Sequence, residues 1–92
     1  MNRAERIRAA IEAALQPNTL DIEDESHLHA GHAGAREGGE THYKVTVVSP
    51  AFAGQSRVAR QRIVYGLLDK EFEGGLHALS LRALTPEEAA SS

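Results

Sequence analysis

The sequence contains no cysteine, which excludes disulfides and any zinc or iron–sulfur site built from thiolates of this chain alone. It also lacks an excess of positive charge: 13 acidic and 10 basic side chains give a net charge of −3. A protein whose main task is to coat nucleic acid relies on surplus lysine and arginine, so this class is disfavoured, although a local basic patch is compatible. No apolar run is long enough to span a membrane, and no signal-peptide core is visible.

What remains is the composition of one small globular domain. The 92 residues are 41% hydrophobic and 25% charged, which is ordinary globular usage. Such a chain has no room for a second domain that encloses an active site. The serines and histidines show no spacing typical of a nucleophile elbow or a supported triad, so we expect no enzymatic activity. Arg3, Arg6 and Arg8 resemble a transit peptide, but Glu5 and Glu12 favour an ordinary first helix and a cytoplasmic protein.

The first half of the chain predicts a helix, a strand and a long loop. Apolar residues recur at helical spacing over residues 2–15, and Asn2 with Glu5 is typical of a capping box. Pro17-Asn18 is expected to end this helix. Leu20 and Ile22 alternate with acidic residues, as in a short strand. Residues of about 27–40 carry glycines and histidines with nothing to bury, which indicates a functional or disordered loop.

The second half predicts a strand, a long helix, a strand and a short helix. Alternation returns from His42 to Ser49. Ser56 is a candidate N-cap for a helix that runs to about Phe72, and Gly74-Gly75 supplies its stop. Alternating apolar residues from His77 to Ala83 form the third strand. The run Thr85-Pro86-Glu87-Glu88 then indicates a capped short terminal helix, which together with a frayed tail covers about 86–92.

The resulting order is α-β-β-α-β-α in a single domain, 1–92. Two helices that bury their faces on a three-stranded sheet give a two-layer α+β fold. The second and third strands are joined through a helix, so they can be parallel neighbours. The expected core comprises Ile7, Ile11, Val47, Ile63, Val64, Leu67 and Leu68.

Several motifs, in one order along nearly the whole chain, resemble the BolA family. They are Glu25-Ser26-His27-Leu28-His29, Gly39-Glu40-Thr41-His42-Tyr43-Lys44-Val45, Ser49-Pro50-Ala51-Phe52-Ala53-Gly54, Arg60-Gln61-Arg62-Ile63-Val64-Tyr65 and Leu76-His77-Ala78-Leu79-Ser80-Leu81. Gln61 departs from the family pattern, which often has a histidine between the two arginines.

The resemblance implies a fold like the class II KH domain and a partner, a monothiol glutaredoxin. BolA-like proteins form heterodimers with these glutaredoxins, and the pair shares a [2Fe–2S] cluster. The glutaredoxin also supplies the glutathione that takes part in holding the cluster. The roles implied are cluster trafficking or iron and redox regulation. Some family members are described as DNA-binding transcriptional regulators. Without thiolates, the isolated chain is expected to hold no cluster and to be a monomer or weak homodimer.

Histidines are the candidate cluster ligands, because imidazole is a sound iron ligand. The resemblance marks His77, and in the loop His29 matches the family ligand best while His32 is close enough to substitute. The alternative for His77 is a partly buried structural histidine at a strand start. His42, inside the second strand, is expected to be structural.

Two other sites are open alternatives. His27, His29 and His32 have a spacing that allows a zinc or nickel site, although a mobile loop lacks the rigid geometry of structural sites. Arg57, Arg60 and Arg62 begin the long helix and can present positive charge to DNA phosphates. A solvated helix face explains the same arginines.

Overall fold

The computed structural model describes residues 2–25 and 42–91, which form four helices, a short 3-10 helix and three strands. No helix within these two ranges combines the length and the apolar character needed to cross a membrane. The predicted α+β class with a three-stranded sheet is confirmed, but the single long helix of the prediction is two helices. In chain order the elements are α1 Arg3–Leu15, β1 Thr19–Asp24, β2 His42–Val48, the 3-10 helix Pro50–Phe52, α2 Arg57–Leu67, α3 Asp69–Glu73, β3 Ala78–Leu84 and α4 Pro86–Ser91.

The helices begin where the sequence places their caps. The Asn2 side chain accepts a hydrogen bond from the Glu5 N–H, and the Asn2 N–H donates to the Glu5 carboxylate, so the predicted capping box is present. The Ser56 hydroxyl accepts from the Ala59 N–H at the start of α2. The predicted end of the first helix is also confirmed, because α1 ends at Leu15 and its C-cap Gln16, directly before Pro17, has a left-handed backbone (φ 44°).

The sheet has the order β1-β2-β3, with β1 antiparallel to β2 and β2 parallel to β3. The parallel pairing predicted for the second and third strands is therefore confirmed. Its register sets His42 beside Ala78, so the first residues of β2 and β3 lie at the same edge of the sheet. The end of β1 reaches this edge as well, since the Glu25 N–H donates to the His42 carbonyl oxygen over 2.8 Å.

One face of the sheet packs on the helices and forms the core. Val64 and Leu68 are almost completely buried, whereas Ile63 and Leu67 are only partly buried. The prediction that all four are buried is wrong for Ile63 and Leu67, because the centre of the stripe passes through Val64 and Leu68 and leaves the other two at its flanks. The buried hydrophobic cluster is Ile7, Ile11, Leu15, Tyr43, Val45, Val47, Phe52, Val64, Leu68, Leu76 and Leu79.

A partly buried charge cluster ties α3 to α1. The Arg3 guanidinium donates to the Glu71 carboxylate over 3.0 Å and to the Gly74 carbonyl oxygen over 2.9 Å. Arg6 donates to the same carboxylate over 2.9 Å. The hydrogen bond from Arg6, reinforced by that from Arg3, holds the pKa of Glu71 below its ordinary value against the opposing effect of burial. This cluster fixes the end of α3, from which the chain turns towards β3.

Candidate functional site

Two histidine rings meet at the edge of the sheet where β2 and β3 begin. The ring centroids of His42 and His77 are 5.2 Å apart, and the ring planes are inclined at 54°. His42 is 7% exposed, while His77 lies on the surface. We call these two residues the histidine pair. The sequence predicted a structural role for His42, and its burial in a strand agrees with that prediction, but the contact with His77 was not foreseen.

The backbone on both sides of His77 is fixed. Gly75 has a φ of 124°, a conformation that favours glycine, and it turns the chain out of α3. Leu76 is 4% exposed and belongs to the core, and Ala78 is the first residue of β3. His77 therefore projects to the surface between a buried anchor and a hydrogen-bonded strand.

The predicted loop ligands, His29 and His32, lie outside the described residues, as does His27. In the part of the chain that is described, no three His, Cys, Asp or Glu side chains are grouped closely enough to hold a metal ion. The described residues thus contribute the histidine pair, and the prediction for the loop histidines is untested.

A second feature is a groove of about 720 Å³ between α2 and the outer edge of β3, which we call the α2–β3 groove. Arg57 on α2 and Arg82 on β3 are exposed cations on its wall, and Gln55 and Gln61 add amide groups. Leu79 and Leu81 give the groove an apolar part. The combination of guanidinium, amide and apolar groups suits a phosphate-bearing ligand with flat apolar parts.

Arg60 lines the same groove, but its guanidinium is already engaged. It donates to the Glu88 carboxylate over 2.6 Å, to the Ala83 carbonyl oxygen over 3.1 Å and to the Gln55 carbonyl oxygen over 3.0 Å. The bond from Arg60, together with one from the Thr85 N–H, lowers the pKa of Glu88 to about 2. Glu88 is therefore ionised at neutral pH and neutralises Arg60, whose side chain is only 12% exposed. The hydrogen bonds of Arg60 thus connect α2 to α4 and β3.

The three arginines predicted for DNA binding thus have different surroundings. Arg57 lines the groove, Arg60 is held by its neighbours, and the exposed Arg62 is not among the lining residues. Arg82 was missed by sequence reasoning because β3 alternates and the polar side of a strand looks like a solvated face. The contact of His42 with His77 was missed because it depends on the register of β2 and β3, which pairs His42 with Ala78, the residue after His77.

Comparison with known proteins shows which family the chain resembles in sequence and structure. A family model described as BolA-like protein matches residues 11–88. Protein BOLA1, chloroplastic, of Arabidopsis thaliana is 49% identical over 92 residues, covering 98% of this chain and 58% of the relative. The DNA-binding transcriptional regulator BolA of Haemophilus influenzae is 40% identical over 82 residues, covering 89% of this chain and 76% of the relative.

The solved BolA domain of SufE1 from Arabidopsis thaliana has a TM-score of 0.86 and 48% identity, with 96% of each chain covered. The chain spans only 24% of the length of SufE-like protein 1, chloroplastic/mitochondrial, from the same plant. The similarity to that relative therefore concerns one domain. Both the sequence match and the shared architecture cover nearly all of this chain. The chain belongs to the BolA-like family.

Proposed function

We propose that this protein is a non-enzymatic partner of a monothiol glutaredoxin and shares a [2Fe–2S] cluster with it. The observation that carries the proposal is the exposed imidazole of His77, held on a fixed backbone in a chain that has no cysteine. A ligand that is open to solvent and cannot complete a metal centre alone suits a site shared between two proteins.

The donor set fits a shared cluster and not one held by this chain alone. A [2Fe–2S] cluster takes four ligands, which are usually thiolates, and histidine replaces two of them on one iron in some centres. Here His77 would be one ligand, and His29 or His32, outside the described residues, would be the second. The glutaredoxin and its glutathione would supply the sulfur. When bound, the cluster would carry one-electron chemistry at a potential that imidazole ligands raise.

The same proposal covers the cellular role. Cluster trafficking and iron or redox regulation are both consistent with a protein that binds a cluster only together with a partner. The names of the plant relatives give chloroplastic and mitochondrial locations. The cytoplasmic location expected from the sequence therefore stays a prediction for this chain.

The test is anaerobic mixing with a cluster-loaded monothiol glutaredoxin and glutathione. We expect the protein alone to be colourless and the mixture to give a heterodimer by size-exclusion chromatography. Its visible absorption and circular dichroism should differ from those of the glutaredoxin homodimer, because imidazole replaces sulfur on iron. A mixture that elutes as two separate proteins with an unchanged spectrum would refute the proposal.

DNA binding is the second candidate function, and the α2–β3 groove favours it. Arg57 and Arg82 both line a groove that also offers amide and apolar groups. The Haemophilus influenzae relative is named as a DNA-binding transcriptional regulator. With a net charge of −3, any such interaction would depend on a local patch of positive charge.

Reversing the groove charges with Arg57→Glu and Arg82→Glu is expected to weaken DNA binding. The slope of log affinity against log salt should flatten by about one unit for each lost phosphate contact, about two in all. Fluorescence anisotropy of a labelled DNA at several salt concentrations measures this slope. The matched control is Arg62→Glu with Lys70→Glu, which changes the net charge equally at exposed sites outside the groove. Equal losses in both double variants would assign the effect to net charge and reject the groove as the DNA site.

A further inference from the structure

The distance between the two histidine ring centroids is one that two imidazoles on a single metal ion can have. Zinc binds imidazole nitrogen at about 2.0–2.1 Å, which places each ring centroid about 3.2 Å from the ion. At a tetrahedral angle the two centroids then lie about 5.2 Å apart. The centroids of His42 and His77 are 5.2 Å apart. A cis pair on a square-planar ion would need a shorter separation of about 4.5 Å.

Both rings are carried by backbone that is already ordered. His42 lies in β2, is paired with Ala78, and its carbonyl oxygen accepts from the Glu25 N–H over 2.8 Å. His77 directly follows the buried Leu76 and precedes the first residue of β3. An ion bound between the rings therefore has little backbone to order, and the exposed side of His77 gives it access from solvent.

We propose that His42 and His77 form a two-imidazole site for Zn²⁺ in the protein without its glutaredoxin partner. Imidazole suits zinc, and zinc is usually tetrahedral in proteins. Among the described residues no third His, Asp or Glu joins the pair, so water completes the coordination shell. The zinc proposal does not rest on the proposed cluster, but the two share His77, so a bound Zn²⁺ would compete with cluster binding.

The test uses the full chain and Zn²⁺ alone, without glutaredoxin. The five histidines are His27, His29, His32, His42 and His77. Replacing the first three with glutamine leaves the histidine pair as the sole imidazoles. We expect this triple variant to bind one Zn²⁺ by isothermal titration calorimetry. Its two imidazole signals should shift together in the NMR spectrum, and Co²⁺ should give the visible absorption of a tetrahedral ion.

The individual roles follow from adding His42→Gln or His77→Gln to the triple variant. Loss of a residue that only supports a metal ligand lowers metal affinity about 10- to 100-fold, so loss of a ligand should cost at least about tenfold. Circular dichroism checks that His42→Gln folds, and if it does not, the NMR shifts of the folded triple variant decide. Three results would each overturn the site: no Zn²⁺ binding by the triple variant, a shift of only one imidazole, or unchanged affinity in His77→Gln. The first would assign zinc to the loop histidines if the unmodified chain binds it.

Discussion

Replacing His77 with alanine is expected to abolish the spectral change that accompanies heterodimer formation with a cluster-loaded monothiol glutaredoxin. His77 is exposed and precedes β3, so its side chain contributes little to the core and the variant should keep its fold. Without this imidazole, sulfur or water would take its place on iron, and the charge-transfer bands would lose the signature of nitrogen ligation. Visible circular dichroism of the anaerobic mixture measures this signature, and far-ultraviolet circular dichroism verifies the fold.

The matched comparison is with the loop histidines. His29→Ala should weaken the spectral change less completely than His77→Ala, since His32 is three residues away and offers a substitute imidazole. If the His77→Ala complex shows the wild-type spectrum, His77 is not a cluster ligand. Any association with glutaredoxin would then have to depend on protein contacts alone.

The second large effect concerns stability. Leu68→Ala is expected to lower the free energy of unfolding by about 2–5 kcal/mol, the usual range for a core leucine. Leu68 is 1% exposed and lies at the junction of α2 and α3, where it packs in the buried cluster. Urea denaturation monitored by circular dichroism measures the change.

Leu67→Ala is the control for this prediction, because it removes the same atoms one position earlier. Leu67 is only partly buried, so its replacement should cost less, below about 2 kcal/mol. A greater loss for Leu67→Ala than for Leu68→Ala would show that Leu67, and not Leu68, packs at the centre of the buried cluster.

These two leucines show where prediction from sequence reached its limit. Short-range chemistry was predicted well: Asn2 with Glu5 and Thr85 with Glu88 form the expected reciprocal caps, since each depends on residues three positions apart. The break after Leu67 was missed because no proline or glycine marks position 68. Leu68 adopts a backbone conformation off the helix (φ −105°, ψ 13°). The neighbouring α3 is tied to Arg3, 68 residues before Glu71 in sequence, and such a tertiary contact leaves no local signal.

In the candidate sites, too, some features were predicted from the sequence and others, which depend on tertiary contacts, were missed. His77 was identified as a cluster ligand through the family resemblance, and that role stays a prediction; the residue lies one position before β3, not within the strand as predicted. Its contact with His42 depends on the parallel register, which the order of elements suggested but did not fix. For the groove, Arg57 is exposed, which both the DNA-binding prediction and the solvated-face alternative require, whereas the bonds that hold Arg60 come from residues distant in sequence.

Helix side chains donate hydrogen bonds to backbone carbonyl groups of the two outer strands, and these bonds oppose self-association of the sheet. On β3 the Tyr65 hydroxyl donates to the Leu79 carbonyl oxygen, and the Arg60 guanidinium donates to that of Ala83. On β1 the Arg8 guanidinium donates to the Leu20 carbonyl oxygen over 3.3 Å. Unpaired strand edges are templates for other chains, and here helix side chains already use part of each row of carbonyl groups. A concentrated solution of this protein should therefore resist the edge-to-edge stacking that leads to β-aggregates.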